Sequence, residues 1–298
     1  MEAFGGQPAV VIEYGPSGIG KTTQDIFSFP NALFIAGPGA LKPMENVVGI
    51  QLRPDQIRDV ATVDEATKLI ISESKLRKYD AVVVDDMSLL ADRTFNEYEK
   101  RLSGFKLWGA IRNSVLLFRD TCRTSRMHTI MNAHEAGPRT MDGFFIRGGP
   151  RLPGKLPEDL PAAADLVLRV QADSNRLGWH AMFRCTIDDP NYVSKDRHGV
   201  TPDYAPFNLR EILRSAGYRL SRWPGLEWQD AVADGITHGI LALPPNVESK
   251  DVLQKALDYM RQQGYADLYI RWALRDGLDR AILSRARKAS VFSGFNVI

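Results

Sequence analysis

The stretch Gly15-Pro16-Ser17-Gly18-Ile19-Gly20-Lys21-Thr22 limits this chain more than any other, because it meets the pattern G-x-x-x-x-G-K-[ST] at every fixed position. An apolar run, Ala9–Glu13 (AVVIE), precedes it and reads as a buried strand, and Thr22–Phe27 starts a helix. Glycines 15, 18 and 20 free the backbone to curl, so that its N–H groups converge on phosphate oxygens. The helix that follows adds its positive end. In such a loop Lys21 reaches the β and γ phosphates and the Thr22 hydroxyl binds Mg²⁺. Gly15, Ser17, Gly18, Gly20, Lys21, Thr22 and Thr23 are the expected nucleotide contacts. A chance glycine-rich turn is the competing explanation, and the strand–turn–helix context weighs against it.

The next 200 residues repeat the alternation of apolar runs and helical spacing. Ala32–Ala36 (ALFIA), Tyr79–Asp85 (YDAVVVD) and Met127–Ala133 (MHTIMNA) read as strands, as do Asp165–Val170 and Trp179–Cys185. Asp64–Leu76 and Leu107–Arg123 read as helices, the latter turning Trp108, Ile111, Val115, Leu116 and Phe118 to the core. This predicts an α/β fold with a mostly parallel sheet between helices. Asp85, at the tip of its strand, is placed to hold Mg²⁺ through water, although Asp also favours helix caps. Asp86 either orients an attacking water or caps the next helix. Asn132 and His134 follow another strand to the edge where parallel sheets bind ligands, so Asn132 or His134 is a candidate γ-phosphate contact, with a plain surface or core histidine as the alternative for His134.

Two stretches read as long loops. Gly137–Pro161 interleaves Arg139, Arg147, Arg151 and Lys155 with Phe144 and Phe145, the mixture that tracks a single strand's phosphates and stacks on its bases. Asp188–Pro206 carries Lys195 and Arg197. Arg112, Arg119, Arg123 and Arg126 can share one helix face, which is either a groove lining or a solvated surface. Beyond Trp223-Pro224-Gly225 the pattern turns wholly helical over Leu226–Leu243, Ser249–Gln263 and Tyr265–Ala289, so a boundary is placed near residue 222. The last of these is basic, with Arg271, Arg275, Arg280, Arg285, Arg287 and Lys288, and either contacts DNA or docks a neighbour with Tyr269 and Trp272. Phe292–Ile298 is either an apolar hook for a partner or a frayed end.

Composition sets outer limits. Apolar residues at 44% and charged residues at 25% exclude a disordered, collagen-like or disulfide-scaffold chain. With 38 Lys+Arg against 36 Asp+Glu the net charge is +2, which excludes a polycation and leaves room for local basic patches. No run is long enough for a membrane span, and the N-terminus lacks a signal-peptide pattern. Cys122 and Cys185 have no CxxC partner and read as reduced thiols of a cytoplasmic protein.

These elements together resemble the RecA-like phage ATPases of the Sak-four single-strand-annealing type, within the RecA/Rad51 superfamily. The matching residues are GPSGIGKTT (15–23), YDAVVVDD (79–86), NAHE (132–135), LPGKLPEDLPAAADLVLRV (152–170), SKDR (194–197) and APFNL (205–209). The resemblance covers about residues 8–220. It implies a RecA-like core (1–222) with a C-terminal helical extension (223–298), and a head-to-tail ring or filament with ATP between subunits. It further implies single-stranded DNA as substrate, a phage single-strand-binding protein as partner, and no membrane. Lys195 and Arg197 look like the cations that a neighbour contributes, and a solvated basic loop is the plainer alternative. The chain departs from the family at the end of the second strand, where IAGPGAL (35–41) lacks the usual Glu that activates water. Asp86, Glu13 or Glu135 could substitute. Otherwise ATP serves as an assembly switch. A replication loader, a packaging-type motor and a small-molecule kinase also use such loops.

Overall fold

The computed structural model describes residues 8–37, 40–41, 52–172, 181–186, 188–220, 229–242, 250–263 and 273–285. The strands are β1 (Val10–Gly15), β2 (Ala32–Ala36), β3 (Ile57–Arg58), β4 (Ala81–Asp85), β5 (His128–Ala136), β6 (Arg139–Met141), β7 (Phe144–Ile146), β8 (Gly149–Pro150), β9 (Leu166–Ala172), β10 (Ala181–Arg184), β11 (Lys195–Asp196) and β12 (Tyr204–Pro206). The helices are α1 (Lys21–Ser28), α2 (Val63–Leu76), α3 (Met87–Glu99), α4 (Gly104–Thr124), α5 (Leu156–Ala163), α6 (Leu209–Ser215), α7 (Gln229–Leu241), α8 (Lys250–Gln262) and α9 (273–285).

Among the described residues the sheet runs β12-β10-β9-β1-β5-β4-β2-β3. The stretch from β9 to β3 is parallel, and β10 and β12 continue it antiparallel. Parallel strands covered on both faces need apolar side chains at nearly every position, which is why AVVIE, ALFIA and AVVVD read as unbroken runs. The pleat divides them. Val10, Ile12, Tyr14, Val82 and Val84 face a core closed by Ile70, Ile111, Val115 and Phe118. Val11, Phe34, Val83 and Ile130 face another, closed by Ile26, Phe29, Ile212 and Leu213. The sheet is thus sandwiched as the alternation of elements predicts. Because β5 inserts between β1 and β4, the phosphate loop, Asn132 and Asp85 reach one edge side by side.

Several expectations change. Leu107, not Trp108, enters the core, and the half-exposed Trp108 ring packs on Phe95 at 5.2 Å. Helix α4 ends at Thr124, so Arg126 lies beyond it; Arg112 pairs with Asp159 and Arg119 with Asp120. The 137–161 segment is not a plain loop. It holds the β6–β7 hairpin, β8 and α5. Asp142 and Gly143 turn the hairpin with φ of 51° and 79°, as a two-residue Asp-Gly turn requires. The 188–206 segment is likewise organised, because the Asp196 carboxylate accepts the N–H groups of His198, Gly199, Val200 and Thr201. Cys122 and Cys185 are free and buried, and burial pushes both thiols up to about 12.

Residues 229–242, 250–263 and 273–285 are helical, and α9 docks on the core through buried charge. Asn208 donates to Asp276 at 3.0 Å and to Asp279 at 2.8 Å, while Arg280 grips the fully buried Glu211 at 2.7 Å and reaches Asp234. Arg275 donates to the Phe207 carbonyl and Arg285 to the Ile240 carbonyl. Arg275 and Arg280 therefore face inward, while Arg285 stays exposed, so two of the basic residues expected to meet DNA or a neighbour are engaged within the chain. The expected boundary near 222, Trp179, and the features placed at 264–272 and 286–298 lie outside the described residues. Removing one partner of a buried ion pair strands the other charge. We expect Arg280→Ala to lose about 3–5 kcal/mol of stability, read as a lower denaturation midpoint, whereas Arg112→Ala at the surface changes it by less than about 1 kcal/mol.

Candidate active site

Strand β1 delivers Gly15 to the sheet's C-terminal edge with no room for a side chain. A Cβ there would stand 2.4 Å from the Val170 carbonyl oxygen on β9. The chain turns at Gly20, whose φ of 102° is left-handed, and enters α1 with its N-terminal N–H groups at the edge. Lys21 is 8% exposed, and its ammonium donates to the carbonyls of Gly15 at 3.1 Å and Pro16 at 2.9 Å. Burial pulls this lysine below its usual range, and Glu13 foremost among its acidic neighbours holds it up. Ser17 and Gly18 are exposed on the loop, and Thr23 is partly buried on α1.

The Thr22 hydroxyl donates to Asp85 at 2.7 Å, which joins the loop to the tip of β4. Asn132 stands between them, donating to Asp25 at 2.6 Å and to Asp85 at 3.4 Å. Burial pushes the Asp85 carboxyl up, and the hydrogen bonds from Thr22 and Asn132 pull it back. Asp86 does cap the next helix, since its Oδ1 accepts the Leu89 N–H at 2.5 Å at the start of α3. Its Oδ2 stays free of that cap and lies 2.8 Å from Nε2 of His134. The His134 N–H is fixed by Ser88 at 3.0 Å. Lys21, Thr22, Asp85, Asp86 and His134 thus come together at one edge.

Of the carboxylates offered in place of the missing strand-end Glu, two are unavailable. Glu13 is fully buried on the face of β1 that packs under α1, with both oxygens unpartnered. Burial, then the charge of Asp25, pushes its pKa well up. Glu135 is bound bidentately by Arg169 at 2.7 and 3.1 Å, and that guanidinium stacks 3.4 Å from the Tyr192 ring centre. Two residues of the site are not apparent from the sequence motifs. Asp25 is fully buried, and its spacing of four from Lys21 is the available signal. Arg93 lies over Gly37 at the end of β2, in a cavity shared with Asp85 and Asp86.

The cations at 195 and 197 sit elsewhere. β11 pairs with the beginning of β9, at the opposite edge of the sheet from the phosphate loop. Lys195 donates to the carbonyls of Pro161 and Ala162, and Arg197 pairs with Asp165 at 3.0 Å while remaining 43% exposed. Arg139, Arg147, Arg151 and Lys155 are exposed around the hairpin, with Phe144 at 76% and Phe145 at 57% exposure. Arg151 pairs with Asp92.

Residues 7–198 match the family model described as an AAA domain, from the strand before the phosphate loop through Arg197. The chain belongs to the AAA domain family. Its motifs are those of a P-loop ATPase, and no curated protein matches the sequence. Among solved structures, the chain is similar to a KaiC-like protein from the hyperthermophilic archaeon Pyrococcus horikoshii OT3. The two share 15% identity with a TM-score of 0.37, over 60% of this chain and 78% of the other. It is also similar to the RadB recombinase, at 18% identity and a TM-score of 0.34, over 57% and 78%. No helix among the described residues of this AAA domain protein is long and apolar enough to cross a membrane.

The buried Glu13 yields a pH prediction. Its folded pKa lies above its unfolded value, so its contribution is fully present below the unfolded pKa near 4.5 and fades as pH rises toward the elevated folded value. Gln keeps the neutral shape at every pH. Glu13→Gln should therefore raise Tm relative to wild type more at pH 8 than at pH 5, and a pH-independent difference counts against a protonated Glu13.

Proposed function

We propose that the protein is an ATP-binding and ATP-hydrolysing enzyme that acts on single-stranded DNA in phage recombination by strand annealing. The observation that carries the enzymatic part is the convergence of Lys21, the Thr22–Asp85 pair and the Asp86–His134 pair at one sheet edge. The donor chemistry suits ATP with Mg²⁺. Thr22 Oγ1 and Asp85 Oδ2 are hard oxygens 2.7 Å apart, and Mg²⁺ is held by one or two such groups together with phosphates and waters. Thr22 and Asp85 would hold the ion, which when bound would neutralise phosphate charge.

The chain's own groups supply the rest. The loop's N–H groups and the α1 N-terminus hold the phosphates, and Lys21 exchanges two carbonyl partners for phosphate oxygens. With Nε2–H given to Asp86, His134 keeps Nδ1 as the acceptor for the attacking water's proton. Asp86, anchored by the Leu89 N–H, then holds the imidazolium in place. This pair takes the part of the strand-end carboxylate that the chain lacks.

Head-to-tail assembly draws support from Lys195 and Arg197, which lie at the edge opposite the phosphate loop, where a neighbour's ATP would meet them. The hairpin supports DNA contact. Phe144 and Phe145 offer stacking surfaces among Arg139, Arg147, Arg151 and Lys155. A phage single-strand-binding protein as partner and a cytoplasmic location belong to the same reading. A nucleotide-switched assembly protein with little turnover is the second reading, favoured by the bare Ala36–Gly37 end of β2.

ATP turnover measured with and without single-stranded DNA separates the two, because the first requires stimulation and the second requires none. Lys21→Ala should abolish nucleotide binding, and undiminished binding removes the assignment of the loop. Phe144→Ala with Phe145→Ala should weaken single-stranded DNA binding by roughly tenfold or more, at about 1–3 kcal/mol per stacked base. Arg139→Ala with Arg147→Ala should instead flatten the salt dependence of binding. An affinity insensitive to salt would falsify the DNA reading.

A further inference from the structure

Gly37 follows directly on β2, and a cation lies within contact distance of where its side chain would begin. A Cβ built on Gly37 would meet Arg93 Nη2 at 3.4 Å and the Leu89 side chain at 3.7 Å. Arg93 comes from α3, about two turns beyond Asp86, on the face that looks toward β2. Its other terminal nitrogen, Nη1, is tethered to Asp59 at 3.3 Å and to the Val60 carbonyl at 3.4 Å. One prong of the fork is thus anchored and the other is turned to Gly37. The cavity beneath is lined by Ala36, Gly37, Asp85, Asp86, Leu89 and Arg93. Ala36 pairs with Asp85 at the end of the two strands, and Gly37 and Asp86, the next residue of each, both line this cavity. Lys21 feels the charge of Asp85 and Asp86 from the loop, and Arg93 shares their cavity from α3.

From this we infer that Arg93 is a catalytic cation acting within its own subunit, reaching the γ-phosphate across Gly37 and stabilising the charge that develops there during hydrolysis. The inference rests on the ATP hydrolysis proposed above. A guanidinium held at one end and open at the other is already oriented, so no rearrangement is needed as charge grows on the phosphoryl oxygens. A Cβ at 37 would stand in van der Waals contact with Nη2, 3.4 Å away, so glycine leaves clear the side of the guanidinium that faces this position. The bond between the γ-phosphorus and the bridging oxygen breaks, the water oxygen forms the new bond, and ADP and phosphate leave. Arg93 exchanges no proton in this step.

The test compares Arg93→Ala, Arg93→Lys and Asp59→Asn with wild type in three measurements: affinity for ADP, retention of ADP with aluminium fluoride, and single-turnover hydrolysis. Arg93→Ala should keep its ADP affinity, lose retention of the aluminium fluoride complex, and hydrolyse roughly 10²–10³-fold more slowly, the effect of removing one preorganised donor. Arg93→Lys should recover part of the loss. Asp59→Asn, which frees the tether and keeps the cation, should stay within about tenfold of wild type. Unchanged hydrolysis and analogue retention in Arg93→Ala overturn the inference. So do equal losses in Arg93→Ala and Asp59→Asn with matching falls in Tm, which make Arg93 a tether alone. If Arg93→Ala does not fold, Arg93→Gln preserves a donor to Val60 and is read in the same way. A wild-type protein that binds no nucleotide sinks the parent reading, and that outcome is distinct from a variant that matches an active wild type.

Discussion

A single side-chain amide holds the site together. Asn132 Nδ2 has two protons, and it gives one to Asp25 on α1 and the other to Asp85 on β4. The helix that begins at the glycine-rich loop and the strand that ends in Asp85 are thereby both registered to β5. Asp25 and Asp85 are buried, and carboxylates in such surroundings need donors to stay in place. Thr22 and Lys21 supply the remaining compensation from the loop side. The insertion of β5 between β1 and β4 is what allows one amide to reach both. A sheet order with β1 beside β4 would separate Asn132 from this pair.

The same arrangement makes the burial of Glu13 intelligible. Glu13 lies on the face of β1 that packs under α1, close to Asp25 and Lys21, with no hydrogen-bond partner for either oxygen. Two acids beneath one lysine cannot both be charged in a dry interior. Burial raises the pKa of both Glu13 and Asp25, and the Lys21 ammonium donates to the loop carbonyls. In the hydrolysis proposed above, water activation is accordingly assigned to the open edge, where Asp86 and His134 are paired, rather than to the acids below the helix.

The parts of the site that adjacent residues define are legible in the sequence. GPSGIGKT with its flanking strand and helix places the loop, and nearly unbroken apolar runs place β1, β2 and β4, because strands covered on both faces need them. Contacts between distant segments are not legible in this way. Nothing near Gly37 in the chain announces Arg93, and nothing near Asn132 announces Asp25. Other differences come from the weight given to residue types. The glycines and prolines of 137–161 suggest a loop, yet Asp142-Gly143 is a hairpin turn and the proline in the first turn of α5 suits a helix start. The basic C-terminal helix is misjudged when charge is equated with exposure. Glu211, Asp276 and Asp279 are buried, and they draw the arginines inward.

That buried cluster also bears on α1. Arg210, beside Glu211 on α6, donates its N–H to Ser28 Oγ at 3.2 Å and its Nη1 to the Ser28 carbonyl at 3.2 Å. A cation therefore meets the last carbonyl of the helix whose first N–H groups face the sheet edge, and the negative end of the helix dipole is complemented. Because α6 is in turn fixed by Asn208 and Arg280 to α9, the C-terminal end of α1 is tied to residues 273–285. The phosphate loop is consequently held at three places: by Val170 against Gly15, by Asn132 against Asp25, and by Arg210 against Ser28. Three fixed points position a short helix completely. An eight-residue helix is too short to be stable on its own in water, so these tertiary ties, rather than helix propensity, are what aim its N-terminus at the sheet edge.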